Sequence, residues 1–375
     1  MVKRSTIVVA GHICLDITPA FPEKRIEKIE EILIPGHLIQ MGSVDVHTGG
    51  AVANTGLALK ILGADVKLMG KIGKDAFGKL VYSAMEQYGA AKEMIVSDES
   101  DTSYSVVVAP YGVDRIFLHH TGANDEFYLK DLDFELIKDA KLFHFGYPPL
   151  MKSMYEKDGE ELIAIFKKVK ELGAATSLDM AAVDEFSAAG RADWKKILKK
   201  LLPYVDFFVP SVEELAYMLD REKYYKWMEK ADGSDLTESL SLPEDVEPLG
   251  QKLLDMGAKA VLIKCGVPGL YFASGNKDTM KKLGRDMELD FSDWADKKWF
   301  EKSYCPDKVL SGTGAGDTSI AAFLHAVTQG YGWADCLHLA AATGASCVEC
   351  YDALSGLKSF DELEKKIKAG WKKIS

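Results

Sequence analysis

Short apolar runs alternate with helical patterns along most of this chain, and that alternation leaves few folds open. The runs are Thr6–Val9, Val66–Met69, Lys141–Phe145, Ala175–Leu178, Phe207–Val209 and Ala260–Lys264. Patterns of helical period follow them at Ala51–Leu62, Ala76–Tyr88, Glu160–Leu172, Trp194–Leu202, Ser211–Leu219 and Val246–Met256. Strands apolar on both faces, each separated from the next by a helix, describe a parallel sheet covered on both sides. The expected class is α/β, a doubly wound and mostly parallel sheet. The last third adds three helices, Ala315–Thr328, Trp333–Cys350 and Phe360–Lys372.

Two segments break the rhythm. Residues 31–48 and 102–121 are extended in pattern with no helix between their strands. Ser105–Val108 and Ile116–His119, joined by the turn Pro110–Asp114, form a hairpin. A small β element of this kind beside a larger sheet serves as a lid over the sheet's carboxyl edge. The polar, weakly patterned stretches Glu222–Glu247 and Gly275–Asp307 are expected as surface insertions. No linker, repeat or low-complexity tract divides the 375 residues, so residues 1–375 are expected to form one domain with its lid.

Charge narrows the partners. The 46 Lys and Arg against 57 Asp and Glu leave a net charge of −11, which disfavours nucleic acid and anionic membrane surfaces. A local basic patch can still bind a small anion. No apolar run reaches the roughly 18 residues a membrane span needs. Lys3 and Arg4 before Thr6–Leu15 imitate a signal peptide, but His12 interrupts the stretch and Asp16 ends it, so it is expected as a buried first strand. The six cysteines are scattered, as in a reducing, cytoplasmic compartment. Cys347 and Cys350 form one C-x-x-C with no partner pair, and are expected as core residues of a helix.

Three motifs carry chemistry. Ser311-Gly-Thr-Gly-Ala-Gly-Asp317 precedes an Ala-rich helix. Its glycines let backbone approach a ligand, and a helix beginning there aims unpaired N–H groups at an anion. A carboxylate in that turn would repel a phosphate unless it takes the proton of an attacking hydroxyl, which assigns Asp317 as a general base. Thr48-Gly49-Gly50-Ala-Val-Ala-Asn54 opens a helix of small residues, with Asn54 able to bind a polyol. Gly11-His-Ile-Cys-Leu-Asp16 places a carboxylate at the expected end of the first strand, where it can accept two sugar hydroxyls. Each motif alone has a plainer reading as a turn. The glycine spacing is not that of the dinucleotide fingerprint. Gly73 to Lys79 is not a P-loop, because Leu80 stands where Ser or Thr must hold Mg²⁺.

Together these residues resemble the ribokinase-like (PfkB-type) carbohydrate kinases, in the family's order and over nearly the whole chain. Gly11–Asp16 resembles the first-strand sugar contact. Gly49–Gly63 and Gly70–Gly78 resemble the N-terminal signature. Val261–Gly269 resembles the nucleotide-side strand and its Gly-x-x-Gly turn, and Gly314–Thr318 the C-terminal signature. The resemblance implies ATP-dependent phosphorylation of a sugar hydroxyl, with Mg²⁺. It implies Asp317 as base, with the N–H groups of Gly314, Ala315 and Gly316 as anion hole. Asp16, Gly49, Gly50 and Asn54 would hold the sugar. Ser211, Lys264, Gly266, Gly269, Thr313 and Gly314 would lie on the nucleotide side. Glu214 would act on the metal through water.

The chain departs from the family pattern at three places. Ser211 replaces the Asn of Asn-x-x-Glu. Ser311 and Gly312 replace Asp-Thr before the glycine core, which counts against activation by a monovalent cation. Asp179 keeps the first position of Asp-x-Asn-x-Arg, but Ala181 and Val183 replace the others. On the lid, Arg115 and Asn124 are candidate substrate contacts. His119 and His120 point to opposite faces of a strand, so at most one of them faces the site. Ala51 follows the glycine pair where several phosphosugar and ribose kinases carry Lys, which favours an uncharged sugar. Two other readings stay open: a nucleoside kinase on this fold, and a sugar- or nucleotide-binding homologue without turnover. An exposed lid also offers a surface for a homodimer.

Overall fold

The computed structural model describes residues 6–113 and 115–374. Lys3, Arg4 and the turn residue Asp114 lie outside the described residues. The main sheet has eight strands. They are β1 (Ile7–Gly11), β4 (Val66–Met69), β9 (Leu142–Gly146), β10 (Ala175–Leu178), β11 (Phe207–Phe208), β12 (Ala260–Lys264), β13 (Gly269–Ser274) and β14 (Lys298–Lys302). Their order is β14-β13-β12-β11-β10-β9-β1-β4, parallel from β4 to β12 and antiparallel over β13 and β14.

The doubly wound class is what the side chains enforce. In β1, Ile7 and Val9 enter the core on one face, while Val8 and Ala10 enter the core on the other. Both faces are therefore dry, and a strand with no wet face must be apolar throughout. The helix Ala315–Thr328 is buried over nearly its whole length and packs against the helices Ala51–Ile61 and Trp333–Cys347. Its Ala-rich composition permits that close approach.

A second sheet stands beside this one. It contains β2 (Cys14–Pro19), β3 (Val44–Gly49), β7 (Tyr104–Val108) and β8 (Ile116–His120), in the order β3-β2-β7-β8. The hairpin β7–β8 is as expected. Two expectations need correction. The first strand ends at Gly11, so Asp16 does not close it; Asp16 lies mid-way along β2, opposite His47 of β3 and Ser105 of β7. Of the segment 31–48, only Val44 onward is strand; a 3₁₀ turn at Ile29–Glu31 precedes it and Leu38 is 94% exposed. A third small sheet pairs β5 (Lys71–Gly73) with β6 (Ile95–Ser97).

The two polar stretches are not simple insertions. Residues 275–307 supply the edge strand β14 and bury Met280, Trp294 and Tyr304. The strand was hidden because Lys298, Glu301 and Lys302 dilute its apolar signal. Arg221–Ala231 is a helix that buries Trp227. The helix Trp333–Cys347 stops three residues short of the expected Cys350, and all six cysteines are free.

Candidate active site

The carboxyl ends of β1, β9, β10 and β12 converge on the start of the Ala315–Thr328 helix. Gly314 is its N-cap, at φ 75°, a left-handed conformation that a side chain disfavours. Asp317 lies in the first turn and is 5% exposed. The N–H groups of that turn lack helical acceptors by construction. That of Ala315 makes only a long 3.4 Å contact to the Gly312 carbonyl.

Three donors converge on Asp317. The Tyr147 hydroxyl is 2.8 Å from both Oδ1 and Oδ2. Thr55 Oγ1 donates to Oδ1 at 3.1 Å, and Asn54 Nδ2 to Oδ2 at 3.1 Å. Asn54 and Thr55 come from the helix Ala51–Ile61, whose N-cap Gly50 sits at φ 86°. A Cβ on Gly50 would meet the His12 carbonyl oxygen at 2.6 Å. A Cβ on Gly49 would run into the Asp16 carboxylate. The glycine pair thus makes room for Asp16 and turns the chain into the helix whose Asn54 and Thr55 hold Asp317. Asn54, expected on the sugar, has its amide on Asp317.

Tyr147 escaped the sequence reading. It follows β9 directly, in a left-handed conformation (φ 64°, ψ 42°) ahead of Pro148 and Pro149. An aromatic residue between a buried strand and two prolines was the available signal. Burial, and then the Asp317 carboxylate beside it, push the Tyr147 hydroxyl well above the ordinary tyrosine range, so it remains a donor.

Lys264 ends β12 and extends toward the same helix. Its Nζ donates to Asp179 Oδ1 at 2.6 Å. Asp179 is 1% exposed, and its Oδ2 is buried with no hydrogen-bond partner among the described residues. Burial raises the Asp179 carboxyl against the pull of Lys264. Burial also opposes the Lys264 charge, but Asp179, Glu214 and Asp317 together outweigh it and hold the ammonium charged. His144, one strand away, is pushed down to about 3 by burial and then by Lys264, so it is neutral.

Ser211 caps the helix Val212–Leu219. Its N–H donates to Glu214 Oε2 at 2.7 Å, while its Oγ accepts from the Glu214 N–H at 3.4 Å. Ser is a good residue for that reciprocal cap, which accounts for a helix that starts normally without the family's Asn. Ser211 also bridges Lys264 in the sheet. Gly266 and Gly269 lie in the β12–β13 turn, closed by the Cys265 N–H to the Gly269 carbonyl at 2.8 Å. Thr313 donates its N–H to Ser311 Oγ at 3.1 Å and accepts from the Arg115 guanidinium, so the four-stranded sheet touches the glycine-rich loop.

On the lid side, Cys14 donates its thiol to Asp16 Oδ1 at 3.2 Å, and His47 Nε2 lies 4.0 Å from Oδ2. Burial raises the Asp16 carboxyl, with Cys14 and His47 pulling it back. His119 faces inward, its ring 5.1 Å from that of His12, whereas His120 is exposed on the other face. Asn124 is wholly buried, and its amide is committed to backbone: Oδ1 accepts from the Ile13 N–H at 3.1 Å, and Nδ2 donates to the Ile13 and Thr121 carbonyls at 2.9 and 3.1 Å. In this structure it is a clamp between the lid and the β1–β2 turn, with no polar group left for a sugar.

The sequence matches the pfkB family carbohydrate kinase pattern over residues 5–359. The chain belongs to the pfkB family of carbohydrate kinases. This pfkB chain is 22% identical over 302 residues to an uncharacterized sugar kinase of Archaeoglobus fulgidus, covering 80% of the chain and 98% of the relative. It is 22% identical over 374 residues to 5-dehydro-2-deoxygluconokinase of Clostridium botulinum, covering 98% and 94%. The fold matches that of Arabidopsis thaliana ribokinase complexed with ribose and ATP, with TM-score 0.69, 22% identity and coverage of 96% and 98%. It also matches fructokinase with bound ATP from Xylella fastidiosa, with TM-score 0.68, 18% identity and coverage of 98% and 99%. No helix among the described residues is long and apolar enough to cross a membrane.

Proposed function

We propose that residues 1–375 act as one kinase unit that transfers the γ-phosphoryl group of ATP to a hydroxyl of an uncharged sugar, with the four-stranded sheet as its lid. The observation that carries this is Asp317. It is a buried carboxylate in the first turn of a long helix, ringed by donors, beside N–H groups that lack helical acceptors. A base and an anion cradle within one helical turn suit in-line attack on phosphorus.

In this reading Asp317 accepts the proton of the acceptor hydroxyl. Asn54, Thr55 and Tyr147 orient the carboxylate. The N–H groups of Gly314, Ala315 and Gly316 hold the phosphoryl oxygens. Asp16, beside Gly49 and Gly50, takes sugar hydroxyls, and Arg115 closes the lid onto Thr313. Ser211, Lys264, Gly266 and Gly269 flank the nucleotide. Glu214 has one oxygen on the Ser211 N–H, and its other oxygen is an acceptor for the O–H of a water on Mg²⁺. When bound, Mg²⁺ neutralises charge on the phosphates.

The outer lid exposes Val44, Val46, Ile116 and Leu118, an apolar surface suited to a second copy of the chain. A cytoplasmic setting suits six free thiols. The test is ADP release with Mg-ATP across a panel of sugars and nucleosides. Turnover with a sugar supports the reading, turnover with nucleosides alone replaces the acceptor class, and none with any alcohol removes the kinase assignment. Light scattering of the purified chain reads the dimer.

A further inference from the structure

The nucleotide-side groups assigned above are backbone or neutral side chains, apart from one. Lys264 is an ammonium held inside the fold, its side chain 13% exposed, at the end of β12. It is fixed at one side by Asp179, 2.6 Å away. On the other side it lies against the helix start: a Cβ on Gly316 would be 3.9 Å from Nζ and 3.2 Å from Cδ. Any side chain at position 316 would press on this lysine, so Gly316 gives it access to the cradle. The carboxylates whose fields reach it are Asp179, Glu214 and Asp317.

A terminal phosphate seated at that helix start would face Asp317 and be repelled by it. The N–H groups alone answer that repulsion only in part, because they carry partial charges. A full positive charge beside the cradle answers it directly, and hydrogen bonds between ammonium and phosphate are among the stronger ones. Arg115, by contrast, is exposed on the lid and donates to the Thr313 hydroxyl.

We propose that Lys264 binds the transferable phosphoryl group itself, and that Asp179 is the positioning residue that aims its ammonium at the start of the Ala315–Thr328 helix. This rests on the kinase reading above. As the bond from the β–γ bridging oxygen to phosphorus breaks, that oxygen leaves with ADP. The acceptor oxygen bonds phosphorus and its proton goes to Asp317. Lys264 keeps its proton and stays against the moving phosphoryl oxygens throughout. Its counter-ion Asp179 has a second oxygen, buried and unpartnered, which leaves the carboxylate free to turn with the ammonium.

Calorimetry with Mg-AMP-PNP and Mg-ADP tests this without knowing the sugar. Lys264→Met should weaken AMP-PNP by about tenfold to a hundredfold, the worth of one charge-assisted hydrogen bond, and leave ADP within about twofold. Lys264→Arg should recover part of the AMP-PNP affinity. Asp179→Asn should show a smaller loss confined to AMP-PNP, and lower kcat without moving the KM of any sugar the wild type turns over. If Lys264→Met does not fold, Lys264→Met/Asp179→Asn removes both buried charges together and should show the same split. Equal losses for the two nucleotides, or no loss for either, overturn the proposal. A wild type that binds neither nucleotide overturns it together with the kinase reading. A wild type that shows the split but phosphorylates no alcohol upholds it and overturns the sugar-kinase reading alone.

Discussion

The Tyr147 hydroxyl lies 2.8 Å from each carboxylate oxygen of Asp317. The contact joins the end of β9 to the first turn of the Ala315–Thr328 helix, 170 residues later. It fixes the carboxylate plane, and it does so from a backbone conformation that a tyrosine before proline adopts at a cost of about 1–3 kcal/mol. Removing the hydroxyl should therefore loosen the base more than the fold. Tyr147→Phe should lower stability by about 1–3 kcal/mol, the worth of a hydrogen bond to a buried charge, read from the urea midpoint. It should lower kcat while the KM for ATP stays unchanged. An unchanged kcat would mean that Asn54 and Thr55 position Asp317 unaided.

Asn124 separates a structural from a substrate role. Asn124→Ala leaves the Ile13 N–H and carbonyl without their partner, while the Thr121 carbonyl keeps the backbone N–H of residue 124. The expected cost is about 2–4 kcal/mol, since each buried unpaired group costs on the order of 1–3 kcal/mol and the site can relax. Thermal or urea unfolding should show it. The KM for the sugar, measured where the variant is folded, should change little.

Asp16 should behave in the opposite way. Its carboxylate accepts from the Cys14 thiol and the Ser105 side chain, with His47 4.0 Å away, and with two oxygens it retains acceptor capacity. Asp16→Ala should raise the KM for the sugar at least about tenfold, as for loss of a hydrogen bond to a charged group, and leave the KM for ATP nearly unchanged. Equal rises in both would remove Asp16 from the sugar site.

The buried neutral His144 should cost this protein stability in acid. His144 is pushed down to about 3 in the folded state by burial and then by Lys264. In the unfolded chain an ordinary histidine takes a proton near pH 6.5. Below that pH the unfolded state binds a proton that the folded state refuses, so stability falls as pH drops from about 6.5 toward 3. At pH 5 the loss from His144 alone is about 2 kcal/mol. His12 and His119 are lowered by burial too and add in the same direction. The carboxyls of Asp179, Glu213 and Asp16, raised by burial, act in the opposite direction, so the test is a difference: between pH 7 and 5 the urea midpoint of the wild type should fall relative to that of His144→Gln.

The sheet and its helices were legible because a strand such as β1, buried on both faces, has to be apolar at every position. The Gly-rich turn before Asp317 was legible because few other sequences start a helix with backbone open to an anion. What escaped is what three-dimensional pairing decides. Edge strand β14 is hidden by its own lysines and glutamate, which sit on the wet side or in buried ion pairs such as that of Glu301 with Lys373. Asp16 looked like the end of a strand, because the chain leaves one sheet at Gly11 and enters another at Cys14 across only His12 and Ile13, both buried. Asn54 and Tyr147 meet Asp317 across more than 160 residues of sequence, and no local pattern encodes that meeting.

The central claim is that the Asp317 carboxylate takes the proton of the attacking hydroxyl. Asp317→Asn nearly preserves shape, so it isolates that proton. With the sugar that the wild type phosphorylates best, ADP release by the variant should fall by a factor of about 10²–10⁴, the usual worth of a general base. Calorimetric affinity for the same sugar should stay within about threefold, since the amide keeps the shape of the carboxylate and one oxygen acceptor. Turnover of the variant at the wild-type rate would contradict the account.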